Sequence, residues 1–218
     1  MKIEINNLKK EYDKSFYTDE PLSKYSWFNL GGKAEFFFRP KNEFELIKFL
    51  KTLEGKKKIY VLGAGSNTLI RDGGLDGVTI KLGSNFSNIS LIDKDILEVG
   101  AATLDKNIAN FAKQNTLTGF EFLSCIPGSI GGGIKMNSGC YGEDISGVLV
   151  SLKAVDIFGN VKVINKEDIK FQYRGSNLPE DLIILNVRLK GSISEKKNIE
   201  EKQKEFVEKK KEISAKSN

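Results

Sequence analysis

Histidine is absent from the 218 residues. Without imidazole there is no Ser–His or Cys–His nucleophile, no imidazole base and no histidine metal ligand. Cysteine occurs twice, at Cys125 and Cys140. Two sulfurs cannot close a structural zinc site, so no metal site is expected. With no cationic neighbour or Cys-x-x-Cys spacing, both read as small buried packers, a redox role being the lesser alternative. Arginine is scarce, 4 residues against 30 lysines. The net charge of +5 attracts anionic partners, but 22 isoleucines and 17 asparagines share A/T-rich codons with lysine. Nucleic-acid readers favour arginine for bidentate contacts, so no nucleic-acid partner is expected. No apolar run approaches the ~18 residues that span a bilayer. The opening MKIEINNLKKEYDK carries acids and has no apolar region of the signal-peptide kind. A cytoplasmic location without a membrane partner is the expectation.

What is present reads as one large or two small globular domains. Residues 1–24 read as a polar N-terminal arm. A strand is expected at 34–39 and an amphipathic helix at 41–53, with Phe44, Leu46, Ile47, Phe49 and Leu50 at helical spacing. Short strands follow at 58–62 and 77–82, then a hairpin, 89–92 and 96–100, about a polar turn. A second helix is expected over 104–115, then a glycine-dense stretch from 119 to 147. A hairpin about Gly159-Asn160 and a strand at 182–189 close the globular part. Regular βαβ alternation is absent, so the fold class is α+β. The boundaries expected are 25–100 for a first subdomain and 101–192 for a second. The 195–218 tail holds eight lysines and six glutamates, with Ile199, Phe206 and Ile213 at every seventh position. It reads either as a helix covering the sheet or as a connector, over 193–218, into something that follows.

Two glycine-rich segments carry the functional signal. Ile59-Tyr60-Val61-Leu62 runs into Gly63-Ala64-Gly65-Ser66-Asn67. A strand ending in a Gly-x-Gly turn presents consecutive backbone N–H groups, a nest for phosphate oxygens; an ordinary tight turn is the alternative. Thr68 stands where a dinucleotide fingerprint needs glycine. The second segment, 126–142, holds six glycines in 17 residues. Glycine loses most entropy on folding, and the embedded Ile126, Ile130, Ile134 and Met136 argue for an ordered, packed loop. Together the segments point to a long phosphate-containing cofactor lying across two subdomains. Gly133 is followed by Ile134 instead of lysine, which disfavours P-loop nucleotide chemistry.

Four segments resemble the UDP-N-acetylenolpyruvoylglucosamine reductase family, over roughly residues 20 to 213. They are Ser26-Trp27-Phe28-Asn29-Leu30-Gly31-Gly32, Leu62 to Leu69, Ile126 to Gly142, and Phe171-Gln172-Tyr173-Arg174-Gly175-Ser176. The resemblance implies a two-subdomain FAD-binding fold of the vanillyl-alcohol oxidase/PCMH type. It implies non-covalent FAD and NADPH as electron donor. The FAD loops would be Gly63, Ala64, Gly65, Ser66, Asn67 and Thr68, with Pro127, Gly128, Ser129, Gly131, Gly132, Asn137, Gly139, Tyr141 and Gly142. The substrate would be a UDP-sugar enolpyruvyl ether, reduced to UDP-N-acetylmuramate during peptidoglycan precursor synthesis. Arg174 would be catalytic and, with Tyr173, substrate-binding. Read without the resemblance, Arg174 is a structural ion pair and Tyr173 ordinary core. Asn29, Cys125 and Cys140 depart from the usual residues.

The family continues into a third domain whose Gly-Ser-[ST]-Phe-Lys-Asn-Pro segment supplies the proton-donating serine. That segment is expected near where this sequence stops, so a separately encoded C-terminal domain is a possible partner. A non-catalytic flavin-binding remnant, or half of a split reductase, is the alternative. Another FAD oxidoreductase of the same fold is a weaker one.

Overall fold

A computed structural model describes the backbone of residues 5–216 and the side chains of residues 5–212. Two sheets organise it. The first runs in the order Phe16–Pro21, Lys33–Phe38, Leu75–Ile80, Ile59–Val61. Its first pair is antiparallel and the others are parallel. Helix Glu43–Leu53 covers one face, burying Leu46, Phe49, Leu50 and Leu53. Asn42 starts this helix, its side chain accepting from the Glu45 N–H at 2.9 Å. Phe36 and Phe38 point to the helix, and Phe38 stacks on Phe49 with ring centroids 3.8 Å apart. Phe37 faces the opposite way, among Leu22, Leu62 and Ile70.

The second sheet is antiparallel throughout, in the order Val161–Asn165, Leu149–Val155, Ile183–Lys190, Ile96–Gly100, Ile89–Asp93. Helices Asp105–Gln114 and Ile130–Met136 pack on it. A mixed sheet beside an antiparallel one is the α+β class expected.

Strand Ile183–Lys190 joins the two halves. Ile183 and Leu185 enter the first core, while Leu182 and Ile184 enter the second. The period-2 alternation of a strand explains this. A register shift opposite Lys153/Ala154 then flips the parity, so Val187 and Leu189 also face the second core.

Several expectations need correction. The described part of the 1–24 arm, from residue 5, is part of the fold: Phe16–Pro21 is an edge strand, and Leu8, Tyr12 and Phe16 are buried. The aromatics scattered through that polar stretch are its anchors. The sheets divide between Ile80 and Ile89 instead of at residue 100, because hairpin 89–100 pairs with Ile183–Lys190. The glycine-dense stretch contains helix Ile130–Met136. Glycine disfavours a helix by roughly 1 kcal/mol per residue against alanine, so local propensity argues against it. Buried Ile130 and Ile134, four apart on one face, override that cost.

The tail is helix Lys196–Lys216. Its Ile199 and Phe206 are buried instead of lying open, Phe206 against the second core; Ile213 lies outside the described side chains. Buried Glu121 accepts from Thr118 Oγ1 at 2.6 Å and from the Gly119 N–H at 2.9 Å. Lys202 reaches Glu121 at 3.5 Å and Glu143 at 2.7 Å, fastening the helix down. The helix packs on segment Glu121–Cys125 and on helix Asp105–Gln114. No helix among the described residues is long and apolar enough to cross a membrane.

The two-sided strand generates a stability prediction. Ile183→Ala, at a fully buried position, should cost about 2–5 kcal/mol in urea unfolding, the usual range for a core isoleucine. A loss under about 1 kcal/mol would show that the two cores do not depend on this strand.

Candidate functional site

The sheets meet at a cleft of about 580 Å³, within the size range of cofactor sites. Loop 62–68 forms one wall, following strand Ile59–Val61; segment 126–133 forms the other. Arg174, Glu180, Leu182 and Ile184 also line it. Among the described residues, no backbone N–H from Gly63 to Thr68 donates a hydrogen bond within the protein. A row of donors without acceptors is what an anion nest requires. The loop's shape is held from outside. The Trp27 N–H donates to the Gly65 carbonyl at 3.1 Å, and Ser66 Oγ donates to the Pro127 carbonyl at 2.5 Å, tying the two glycine segments together.

The glycines do different work. Gly65 has φ +74°, and a Cβ there would collide with the Tyr25 carbonyl, so its bareness serves the protein's own backbone. Gly132 has ordinary helical space; a Cβ there would meet only Ser129 Oγ, at 3.9 Å, and would occupy the cleft side. At the start of helix Ile130–Met136, the Ile130 and Gly131 N–H groups donate to the Thr103 and Ala101 carbonyls.

Gly63, Ala64, Gly65, Ser66, Asn67, Thr68, Pro127, Gly128, Ser129, Gly131, Gly132 and Arg174 all line the cleft. Asn137, Gly139, Tyr141 and Gly142 do not, because the chain folds back after the helix. Asn137 takes a left-handed backbone, donates to Asp144 Oδ2 at 3.2 Å and accepts from the Ser146 N–H. Gly139 pairs in a two-stranded ribbon that turns at Tyr141-Gly142. Tyr141 packs on Phe206, with ring centroids 5.8 Å apart. Tyr173 is 90% exposed, outside both cleft and core.

Arg174 occupies a two-residue hairpin turn with φ 59°, and its guanidinium lies 5.8 Å from the Tyr173 ring centroid. Among the described residues it forms no ion pair, whereas Arg188 pairs with Glu98 at 3.1 Å. The reading of Arg174 as a structural ion pair finds no partner.

Three charged residues of the cleft escape a reading of the sequence. Lys81 donates to the Gly63 carbonyl, and burial, then Arg39, hold its ammonium below the ordinary lysine range. Lys135 donates to the Pro179 and Glu180 carbonyls, and burial pushes it down to about 8. Asp105 opens helix Asp105–Gln114 with its carboxyl fully buried and neither oxygen partnered; burial pushes it up to about 7. In the sequence Lys81 and Lys135 are two lysines among 30, and Asp105 reads as an ordinary acid in a first helical turn. The cysteines are packers. Burial, then the neighbouring Cys125, pushes the Cys140 thiol up to about 12, and neither cysteine is bonded to another.

A family model described as an FAD binding domain matches residues 34–165. The UDP-N-acetylenolpyruvoylglucosamine reductase of Pelagibacter ubique is 49% identical over 208 residues, covering 95% of this chain and 68% of that protein. The chain belongs to the UDP-N-acetylenolpyruvoylglucosamine reductase family. The Rickettsia felis reductase is 46% identical over 192 residues, covering 88% of this chain and 63% of its own length. The solved reductase (MurB) of Thermus caldophilus superposes with a TM-score of 0.78 at 29% identity, over 90% of this chain and 68% of that one. Alkyldihydroxyacetonephosphate synthase, at TM-score 0.60 and 12% identity over 87% of this chain and 40% of its own, shares the fold alone. The chain thus spans 63–68% of the length of these family members.

Asp105 generates a pH prediction. Its folded pKa is raised from 3.8 to about 7, so the folded state holds this proton more tightly than the unfolded one. Its unfavourable contribution is absent below about pH 4, grows as pH rises, and levels off above about pH 7. In the flavin-free chain, Asp105→Asn should therefore unfold with wild type near pH 4 and be more stable by ~2–4 kcal/mol above pH 7. A stability gap independent of pH, followed by circular dichroism, would show that this carboxyl does not titrate between those values.

Proposed function

We propose that this chain is the FAD-holding portion of a reductase that uses NADPH to convert UDP-N-acetylglucosamine enolpyruvate to UDP-N-acetylmuramate, in the cytoplasm. The observation that carries the reading is that the residues from Gly63 to Thr68 line the cleft and their backbone N–H groups have no acceptor among the described residues. A diphosphate supplies the acceptors that such a row lacks. Lys81 and Lys135 give the cleft positive charge without an ion-pair partner among the described residues. Family membership and the FAD-binding-domain match support the same assignment.

FAD, when bound, supplies the hydride that reduces the enolpyruvyl double bond. The chain's own residues bind, orient and balance charge. Loop 63–68 grips the diphosphate through its N–H groups, and Gly132 keeps the cleft side of its helix open. Arg174 grips the substrate carboxylate with two parallel N–H···O bonds and balances the enolate charge as it grows. Its left-handed backbone costs ~1 kcal/mol that glycine would not incur; strain held at a residue with no ion pair is a mark of function. Tyr173, stacked beside the guanidinium and exposed, offers a surface to the UDP-sugar. The part of the family's length that this chain does not span would close the cleft and deliver the proton. The flavin is held non-covalently: there is no histidine to attach it, and neither cysteine lines the cleft.

Two outcomes test the reading. Gly132→Ala should fold at least as stably as wild type, alanine being the better helix former by ~1 kcal/mol, yet take up FAD at least ten-fold more weakly. Gly65→Ala should lose stability itself, by backbone collision. Normal FAD uptake by Gly132→Ala would show that the helix face does not adjoin the cofactor.

In an NADPH-oxidation assay with the enolpyruvyl substrate, the isolated chain should turn over at least 10²-fold below the rate with a separately expressed C-terminal domain. That is the low end of the usual loss for a missing general acid. Equal rates with and without that domain would assign proton delivery to a residue of this chain.

A further inference from the structure

Asp105 stands out among the buried acids. Glu121, equally dry, is met by a hydroxyl, a backbone N–H and a lysine. Asp105 is 0% exposed, and neither of its carboxyl oxygens has a partner among the described residues. A buried acceptor left unpaired is costly, and the local fold gains nothing from it. The side chain does not cap its helix, and its backbone N–H already donates to the Gly128 carbonyl at 3.1 Å. Position matters more than cost here. Asp105 lines the cleft, and a Cβ on Gly128 would stand 3.0 Å from its Oδ2 and 3.8 Å from Ser66 Oγ. The carboxyl therefore sits near where the two glycine segments meet, next to a residue with no side chain to fill the space.

We propose that Asp105 is a ligand-binding residue of this cleft, accepting a pair of hydrogen bonds from the vicinal hydroxyls of a sugar adjoining the cofactor's diphosphate. The inference rests on the FAD reading above. The chemistry selects the partner. As a carboxylate, the side chain has two unpaired oxygens and requires two donors. Diphosphate oxygens only accept, and the adenine amino group carries both hydrogens on one nitrogen. A vicinal diol presents two O–H donors spaced to match a carboxylate, the pairing that acidic residues make with ribose in other dinucleotide sites. FAD carries such hydroxyls on both sides of its diphosphate, on the ribityl chain and on the adenosine ribose. Binding also repays the buried carboxylate with the partners that the protein withholds.

The test is titration of the flavin-free chain with FAD, FMN and ADP, for wild type, Asp105→Asn and Asp105→Ala. FMN carries the ribityl chain and ADP the ribose. The expected result is at least a ten-fold loss of FAD affinity in Asp105→Ala and a smaller loss in Asp105→Asn, which keeps one acceptor. The loss should recur with one fragment only, and that fragment names the sugar. Asp105→Asn decides the matter if Asp105→Ala fails to fold. FAD affinity within two-fold of wild type in the folded variants would overturn the proposal. So would tighter binding, which would mean that the carboxylate opposes the diphosphate, or equal losses with both fragments, which would mean general damage to the cleft. A wild-type chain that takes up no FAD would remove the underlying reading, and the proposal with it.

Discussion

The structure depends on one strand that belongs to two cores. Leu182-Ile183-Ile184-Leu185 is an unbroken apolar run because each face of it is buried against a different half of the molecule. Ile183 and Leu185 close the aromatic core beneath helix Glu43–Leu53, while Leu182 and Ile184 close the other and also line the cleft. The register shift after Leu185 returns the strand to its own sheet. The Leu185 carbonyl accepts the Ala101 N–H, and the Ala101 carbonyl accepts the Gly131 N–H. A chain of backbone bonds thus runs from the shared strand to the start of the glycine helix. The distance between the cleft walls is set by core packing, which is stiff.

Within that frame the glycines divide into two kinds. Gly65 is bare because the Tyr25 carbonyl occupies the place of a side chain. Gly132 is bare although the protein around it leaves room. Residues that cost folding energy and receive nothing from the fold are those that a bound molecule can explain. Asp105 without a hydrogen-bond partner and Arg174 without an ion pair, on a left-handed backbone, are of the same kind.

Much of this was legible in the sequence where the signal is local. Helix Glu43–Leu53 shows its spacing, hairpin 89–100 shows its polar turn, and the α+β class follows from the irregular order of elements. The glycine segments and Arg174 are legible as motifs, and the structure brings them to one cleft. What was hidden depends on distant partners. Helix Ile130–Met136 opposes its own propensities and exists through the burial of Ile130 and Ile134. The arm joins the first sheet through Tyr12 and Phe16, whose partners lie twenty or more residues away. Asn137, Gly139, Tyr141 and Gly142 share a motif with the cleft residues, but the chain reverses between them. Asp105, Lys81 and Lys135 are chemically special only through burial, which no short stretch of sequence records.

The central claim is that the free amides of loop 63–68 hold the diphosphate of a dinucleotide. It is tested most directly by ¹⁵N–¹H correlation spectra of the flavin-free chain titrated with FAD. The account predicts that the amide resonances of Gly63 to Thr68 move furthest downfield, as N–H groups without an acceptor gain one. Saturable FAD binding that leaves those six resonances in place would contradict it.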